Sequence, residues 1–239
     1  MGRLDDAFAP ATEGVSHAER WGSPYDLAYA LCFDAMTRFL CRDYAAQRAR
    51  CAEAITVSDR FGFPLWSGVS RFLHGLARVV TDDPDGLAEM VDGLSRAAET
   101  GNQQGAATML GMLADAQRRV GRLEDAKATL AGAMALASQL GERMWETELH
   151  TTDGEIALAM GTRLDDVLAR FRNALSVARE LDALRSELVA AMAMARALRD
   201  AGHLADAHAE LAPVYAKFTQ GFGTPLLTEA KALLEELST

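Results

Sequence analysis

The sequence predicts an all-α protein: a right-handed superhelical solenoid of about five tetratricopeptide-like helical hairpins, with a flanking helix at each end. The first observation is a repeat: the stretch GRLEDAKATL returns near the C-terminus as GHLADAHAEL, with a degenerate copy, GTRLDDVLARF, between them. The first leucines of these copies, Leu123, Leu164 and Leu204, are 41 and 40 positions apart. The second observation is helical periodicity after each of these leucines, and the third is the regular spacing of glycines.

Each of these leucines opens the second helix of a unit. Leu123, Ala126, Leu130 and Met134 are 3 or 4 positions apart, which is typical of one face of an amphipathic helix. Tyr44 and Leu87 stand at the equivalent positions of two earlier units. The glycines expected to end helices or open turns in a left-handed conformation are Gly62, Gly101, Gly121, Gly141, Gly161 and Gly202.

The first helices of the units are expected to run approximately over 24–41, 64–80, 102–120, 143–160 and 184–201. Pro24 and Pro64 stand at the starts of two of them, where a missing amide hydrogen costs nothing. The period of about 40 exceeds the 34 of a standard tetratricopeptide repeat, so the helices should be longer. Pairing of the kind found in HEAT repeats is the structural alternative.

We expect a single repeat domain over 1–239. Its units span approximately 24–61, 64–100, 102–140, 143–181 and 184–218, with a half-repeat at 3–20 and a capping helix at 225–237. Thr224 followed by Pro225 is a typical start for that last helix. A solenoid usually begins with a polar capping element, and the half-repeat instead suggests a fragment of a longer array.

Composition excludes several classes of function. The net charge of −10 argues against a nucleic-acid surface, and it favours solubility over attraction of a basic partner. Cys32, Cys41 and Cys51 lie among apolar helical residues without a Cys-x-x-Cys pair, so we expect reduced, buried thiols. The sequence shows neither a long apolar run nor an apolar signal core, which predicts a cytoplasmic protein that does not interact with membranes.

The closing segment LAPVYAKFTQGFGTPLLTEAKALLEEL, together with YALCF from Tyr29 and GFPLW from Gly62, resembles a bacterial family. These are large signalling proteins in which an ATPase domain precedes tetratricopeptide-like repeats, often with a class III adenylate/guanylate cyclase or DNA-binding domain at the N-terminus. The resemblance covers roughly 10–237 and implies that this chain is the C-terminal repeat region alone. Gly223 and Leu226 replace two acidic residues of the family's usual pattern, and no ligand residues carry over.

Motifs for catalysis or metal binding are missing from the sequence. There is no glycine-rich loop ending in Gly-Lys-Ser/Thr and no His-Glu-x-x-His helix. His203 and His208 are five positions apart and point about 140° away from each other on a helix. The acidic stretch 81–92 lacks the strongest ligands of a calcium loop and is better explained as a turn with Pro84 and Gly86. We therefore expect a non-enzyme without a metal or cofactor.

One group of residues on a single helix face suggests a binding site. Trp145, Glu148, Thr152 and Glu155 step by 3, 4 and 3, so they share one face of a first helix, and in tetratricopeptide stacks first helices line the concave groove. The full candidate set is Trp66, His74, Gln103, Gln104, Trp145, Glu148, Thr152 and Glu155. The alternative is that both tryptophans are core residues and that Glu148 is a surface acid.

The leading hypothesis is a non-catalytic protein–protein interaction and regulatory module of a bacterial signalling protein. It would bind a peptide or protein partner, attached ATPase or cyclase domains included, in its concave groove. A small-molecule sensor is the second hypothesis, and self-association as a homodimer is the third. An open polar groove favours peptides, whereas an enclosed apolar cavity favours a metabolite.

Overall fold

The computed structural model describes residues 5–238, and within that range the chain forms twelve α-helices and no strand. Residues 3 and 4 of the expected half-repeat lie outside the described residues. In order, the helices are α1 (Asp5–Trp21), α2 (Pro24–Leu40), α3 (Tyr44–Phe61), α4 (Pro64–Val80), α5 (Gly86–Glu99), α6 (Ala106–Arg119), α7 (Leu123–Leu140), α8 (Glu146–Ala159), α9 (Leu164–Glu180), α10 (Leu184–Asp200), α11 (Leu204–Tyr215) and α12 (Pro225–Leu237).

Local chemistry explains where several helices begin and end. Ser23 Oγ accepts the Asp26 N–H at 3.3 Å ahead of Pro24, and Thr224 Oγ1 accepts the Leu227 N–H at 3.4 Å ahead of Pro225. The predicted helix start at Pro225 is therefore confirmed. Gly141 ends α7 with φ +68°, a left-handed conformation that glycine adopts at no steric cost.

Two first helices start later than their periodicity suggests. α6 begins at Ala106 rather than near 102, and α8 begins at Glu146 rather than near 143. Before α6, Asn102 Oδ1 accepts the Gln104 N–H at 3.0 Å, an Asx turn that takes these residues out of the helix. The Glu142 carboxylate then accepts the Gly105 N–H at 3.1 Å from the neighbouring turn.

The helices form two layers, which confirms the all-α tetratricopeptide-like solenoid. The inner layer consists of α2, α4, α6, α8 and α10, each of which contacts the next. The outer layer consists of α3, α5, α7, α9 and α11, each packed against the inner helix before it. The three cysteines are buried and unbridged, as predicted, and burial raises the pKa of the Cys32 thiol to about 12. No described helix combines the length and apolar character needed to cross a bilayer.

The last helix meets the first hairpin. α12 packs against α10 and α11, and its Leu226 N–H also donates to the Cys41 carbonyl at 3.3 Å. The Arg42 guanidinium pairs with the Glu229 carboxylate of α12. Arg185, at the start of α10, donates from Nε to the Leu40 carbonyl at 3.2 Å. The solenoid is thus wound tightly enough for its first and last hairpins to touch, and a central space lies among the inner helices.

A charged cavity and an aromatic surface on the inner helices

The central space is a cavity of about 80 Å³, lined almost entirely by the inner helices. Three acids and three arginines supply its charged lining: Asp115, Glu148, Glu155, Arg42, Arg119 and Arg185. Three aromatic rings supply much of the rest: Phe39, Tyr44 and Trp145. The cavity therefore combines mixed charge with aromatic walls.

Glu148 is the most deeply buried of these acids, with 8% of its surface exposed. Its Oε1 accepts hydrogen bonds from Arg185 Nη1 at 2.7 Å and Ser186 Oγ at 2.5 Å. Its Oε2 is buried and has no hydrogen-bond partner among the described residues. Burial lowers the pKa of Arg185, although the charge of Glu148 acts in the opposite direction. The Arg185 guanidinium also lies 6.0 Å from the ring centroid of Trp145.

A second charged group lies at the end of α6. Asp115 Oδ1 accepts from Arg118 Nη2 at 2.6 Å and its Oδ2 from Arg119 Nε at 2.7 Å, while Arg118 Nη2 is 3.2 Å from Glu155 Oε2. Burial acts to raise the pKa of Asp115, but the charges of Arg119 and Arg118 outweigh it and hold that pKa below its ordinary value. Burial, with Asp115 nearby, raises the pKa of Glu155.

Four of the eight predicted site residues come together in this cavity. Trp145, Glu148, Thr152 and Glu155 all line it, as their spacing on one helix face suggests. Trp145 also packs against buried residues of two hydrophobic clusters, so one part of its ring supports the core and another part faces the cavity. The groove and core interpretations of Trp145 are therefore not exclusive.

The other four lie elsewhere. His74 lies between α4 and α5, with Nδ1 2.8 Å from a carboxylate oxygen of Glu89. Gln103 and Gln104 are exposed in the turn before α6. Trp66 belongs to a separate group of aromatic residues on α2 and α4.

This group, the aromatic surface, consists of Tyr25, Tyr29, Phe33 and Trp66. The ring centroids of Tyr29 and Phe33 are 4.5 Å apart, and those of Tyr29 and Trp66 are 5.1 Å apart at an interplanar angle of 89°. Trp66 packs partly into the core, whereas the three α2 rings are 45% to 51% exposed. Trp66 and the cavity-lining Val80 are separated by about 40° around α4, so the aromatic surface and the cavity share the inner face.

Sequence reasoning missed Tyr25, Tyr29 and Phe33. Their signal was present, because aromatic residues at i, i+4 and i+8 form a stripe on one helix face. A stripe of this kind usually faces the core, and only the packing shows that this one stays half exposed. An apolar groove of about 380 Å³ between α1 and α2 continues the surface, since Tyr29 and Phe33 line both.

Metal binding has no structural support in the part of the chain that is described: no group of three or more His, Cys, Asp or Glu side chains is placed to hold an ion.

Among the solved structures that share this architecture are two of Rap proteins. The crystal structure of the apo form of RapI superposes with a TM-score of 0.68 at 8% identity, covering 98% of this chain and 78% of that one. A Rap protein complexed with Competence and Sporulation Factor superposes with a TM-score of 0.60 at 12% identity, covering 88% of this chain and 63% of that one. No family model matches the chain, and neither does any curated protein sequence. At these identities the likeness establishes the fold alone: the chain has the tetratricopeptide-like helical-repeat fold of the Rap proteins.

Proposed function

We propose that this chain is a non-catalytic protein-interaction and regulatory module that binds a peptide, or an extended segment of a partner protein, at the aromatic surface. The observation that carries the proposal is the cluster of three half-exposed aromatic rings around Trp66. Contiguous exposed apolar surface on a folded domain marks interaction sites, and Trp and Tyr dominate the binding energy of such sites.

Two further features support a peptide partner. The aromatic surface continues into the groove between α1 and α2, which provides a long apolar track rather than a closed pocket. One of the similar solved structures is a Rap protein complexed with Competence and Sporulation Factor, so this fold accommodates a bound partner in at least one protein.

The closing segment resembles that of large bacterial signalling proteins, and from this resemblance we propose the protein in which the chain occurs. In it, residues 1–239 form one repeat domain of a bacterial cytoplasmic signalling protein, with an ATPase domain and a cyclase or DNA-binding domain in the same protein. Binding at the aromatic surface would then regulate those domains. This context is tested by expressing the natural gene and measuring the mass of its product.

Binding at the aromatic surface can be tested with a displayed library of random twelve-residue peptides and the purified chain. We expect enriched peptides to bind in fluorescence anisotropy, and Phe33→Ala to weaken that binding roughly tenfold, about 1.4 kcal/mol. The thermal midpoint should change little, because the Phe33 ring is half exposed.

Phe222→Ala is the matched control. Phe222 is as exposed as Phe33, at 51%, but lies in the turn before α12 against Tyr215. Equal loss of binding in both variants, or a library without enriched peptides, would contradict the proposal. Sedimentation over a range of protein concentrations separates it from self-association, since a homodimer formed through this surface would dissociate in Phe33→Ala.

A small-molecule regulatory domain is the second candidate function. The cavity favours it, because charged and aromatic side chains from several inner helices line it. A ligand there would contact helices from several repeats at once.

A further inference from the structure

The first two helices correspond to the next two at an interval of 40 residues. Gly22 follows α1 with φ +68°, and Gly62 follows α3 with φ +74°. Pro24 then begins α2, and Pro64 begins α4. Because the turns match in conformation and spacing, α1 and α2 correspond position by position to α3 and α4.

In the second of these pairs, α2 fills the groove between the outer and the inner helix. α3 packs against both α2 and α4, and α4 packs against α2. On the α3 wall of this groove, Cys51 belongs to the same hydrophobic cluster as Cys32 of α2. Ala54 likewise shares a cluster with Leu31 of α2. The α3 wall is therefore covered by the preceding inner helix.

The α4 wall of the same groove is also covered by α2. The ring centroid of Trp66 lies 5.1 Å from that of Tyr29. Leu73 of α4 is buried in the cluster that contains Cys32 of α2. These residues define the surface on which one inner helix packs in this solenoid.

The groove between α1 and α2 is made of the same positions one repeat earlier. Four of its lining residues stand 40 positions before residues of the α3 and α4 walls: Ala11, Gly14, Asp26 and Phe33, which precede Cys51, Ala54, Trp66 and Leu73 in that order. Among the described helices, only α2 packs against α1. Trp21, which also lines the groove, is 78% exposed. The groove therefore corresponds to the packing surface of an inner helix.

Two differences between the grooves indicate the chemistry of the helix that fits. Asp26 stands where α4 has Trp66, so a helix placed like α2 would meet a carboxylate instead of an aromatic ring. A lysine or arginine at the position of Tyr29 would complement that charge. Gly14 stands where α3 has Ala54, which leaves room for the helix to approach closely.

We propose that the groove between α1 and α2 is a docking site for an amphipathic helix of a partner protein. The helix takes the orientation that α2 has on α3 and α4, with its apolar face on Ala11, Gly14 and Phe33 and a basic residue of its second turn beside Asp26. The site shares only Tyr29 and Phe33 with the aromatic surface, so this inference goes beyond the proposed function.

The probe is a fluorescein-labelled synthetic peptide that copies residues 24–40, because α2 is the helix that fills the groove between α3 and α4. In the peptide, Tyr29→Lys supplies the basic residue for Asp26. Asp34→Ala removes the carboxylate that pairs with Arg50 of α3, since α1 has a proline at that position. We expect saturable binding to the full chain in fluorescence anisotropy and a gain of helical circular dichroism on mixing.

A second peptide carries Tyr29→Glu in place of Tyr29→Lys and is otherwise identical. It should bind at least roughly tenfold more weakly, because its carboxylate would face Asp26. Equal affinities of the two peptides, or no binding by the lysine peptide, would overturn the proposal.

Asp26→Lys in the full chain should reverse this preference, so that the glutamate peptide binds at least roughly tenfold more tightly than the lysine peptide. Asp26 is exposed in the first turn of α2, so we expect the variant to fold. A reversal cannot result from a general loss of structure. If Asp26→Lys keeps the preference of the native chain, the assigned orientation is wrong.

Gly14→Leu tests the α1 wall of the groove. An added Cβ there meets nothing within 4 Å, so the side chain should occupy the groove without disturbing the fold, and binding of the lysine peptide should fall at least roughly tenfold. Gly132→Leu, at an exposed glycine of α7 with the same clearance, is the matched control and should leave binding unchanged. Unchanged affinity in Gly14→Leu would contradict the site.

The results also separate the docking site from the aromatic surface and from self-association. Library peptides that need Phe33, without binding of the lysine peptide, would overturn the docking site and leave the proposed function standing. Binding of the lysine peptide without enriched library peptides would support the docking site and count against the aromatic surface. A mass that rises with protein concentration in the native chain, but not in Gly14→Leu, would show a second copy in the groove and overturn a partner helix.

Discussion

At the scale of single residues, buried charged side chains on the inner helices are stabilised by specific partners. Glu187 of α10 is 3% exposed and accepts hydrogen bonds from Arg179 Nε at 2.8 Å and from Lys217 Nζ at 2.7 Å. Burial acts to raise its pKa, but the hydrogen bonds from Lys217 and Arg179 outweigh this and hold the pKa below its ordinary value. The carboxylate therefore links α10 to the end of α9 and to the segment after α11.

Glu187→Gln should lower the free energy of unfolding at neutral pH by about 1–2 kcal/mol. The loss is moderate because Arg179 and Lys217 are about half exposed and can regain water. Since the native pKa lies below the unfolded one, this stabilisation is present above the ordinary glutamate pKa and disappears as the pH falls through the native value. Urea unfolding at neutral pH and at about pH 3 measures both effects.

The control for this prediction is Glu99→Gln at the exposed end of α5, which should change the unfolding free energy by less than about 0.5 kcal/mol. A difference between Glu187→Gln and the native protein that stays constant down to acid pH would show that the carboxylate's charge is not what stabilises this position.

At the scale of the helices, the pair α4–α5 depends on glycine. A Cβ at Gly93 would lie 2.4 Å from the Phe72 backbone nitrogen, and one at Gly75 would lie 2.5 Å from the Gly86 carbonyl oxygen. The two backbones approach closely because both helices have glycines at these crossings, Gly68 and Gly75 on α4 and Gly86 and Gly93 on α5. Periodicity predicted both helices, but the repeat pattern by itself does not indicate which glycines lie in such a contact.

Gly93→Ala should destabilise the protein by about 1–3 kcal/mol, because the obstructing atom is backbone and cannot rotate away. Gly132→Ala is its matched control: Gly132 is exposed inside α7 with nothing within 4 Å of an added Cβ. There alanine should stabilise by up to about 1 kcal/mol through helix propensity. The thermal or urea unfolding midpoint should therefore fall in Gly93→Ala and rise in Gly132→Ala. Midpoints that change in the same direction would contradict the close approach of α4 and α5.

At the scale of the whole molecule, the two ends of the solenoid contact each other beside the cavity. The Glu229 carboxylate joins Arg42 of the first hairpin to Arg196 of α10, beside the hydrogen bond from Leu226 to Cys41. Each hairpin adds a small rotation to the stack, and here the rotations sum to a return of the last helix to the first pair.

Glu229→Gln should weaken this closure, because Arg42 loses the charged partner that holds it against α12. We expect the Leu226 amide to exchange faster with deuterium, the radius of gyration to rise in small-angle scattering, and the thermal midpoint to fall by about 2–4 °C. Glu235→Gln, on the exposed side of the same helix, should leave all three unchanged. If the Leu226 amide of Glu229→Gln exchanges with deuterium at the same rate as in the native protein, the two ends stay in contact without the pair of Arg42 and Glu229.

The fold class, the helix pairs and many of the helix limits can be predicted from the amino-acid sequence alone. These follow from interactions between residues a few positions apart: the 3- and 4-residue apolar spacing after Leu123, the hydroxyl of Thr224 ahead of Pro225, and the left-handed glycine at Gly141. It also brought Trp145, Glu148, Thr152 and Glu155 onto one face, because that face is set by helical geometry alone.

What those helix faces contact depends on the packing of the whole chain. In the folded chain the Tyr29 and Phe33 rings lie half exposed beside Trp66, and His74 pairs with Glu89. The Leu226 N–H donates to the Cys41 carbonyl, although the two residues are far apart in the sequence. The charged cavity is lined from both ends of the inner layer, by Phe39 and Arg42 and by Arg185 and Val189. Such contacts depend on crossing angles and on rotations summed over five hairpins, and no spacing within a single repeat encodes that sum.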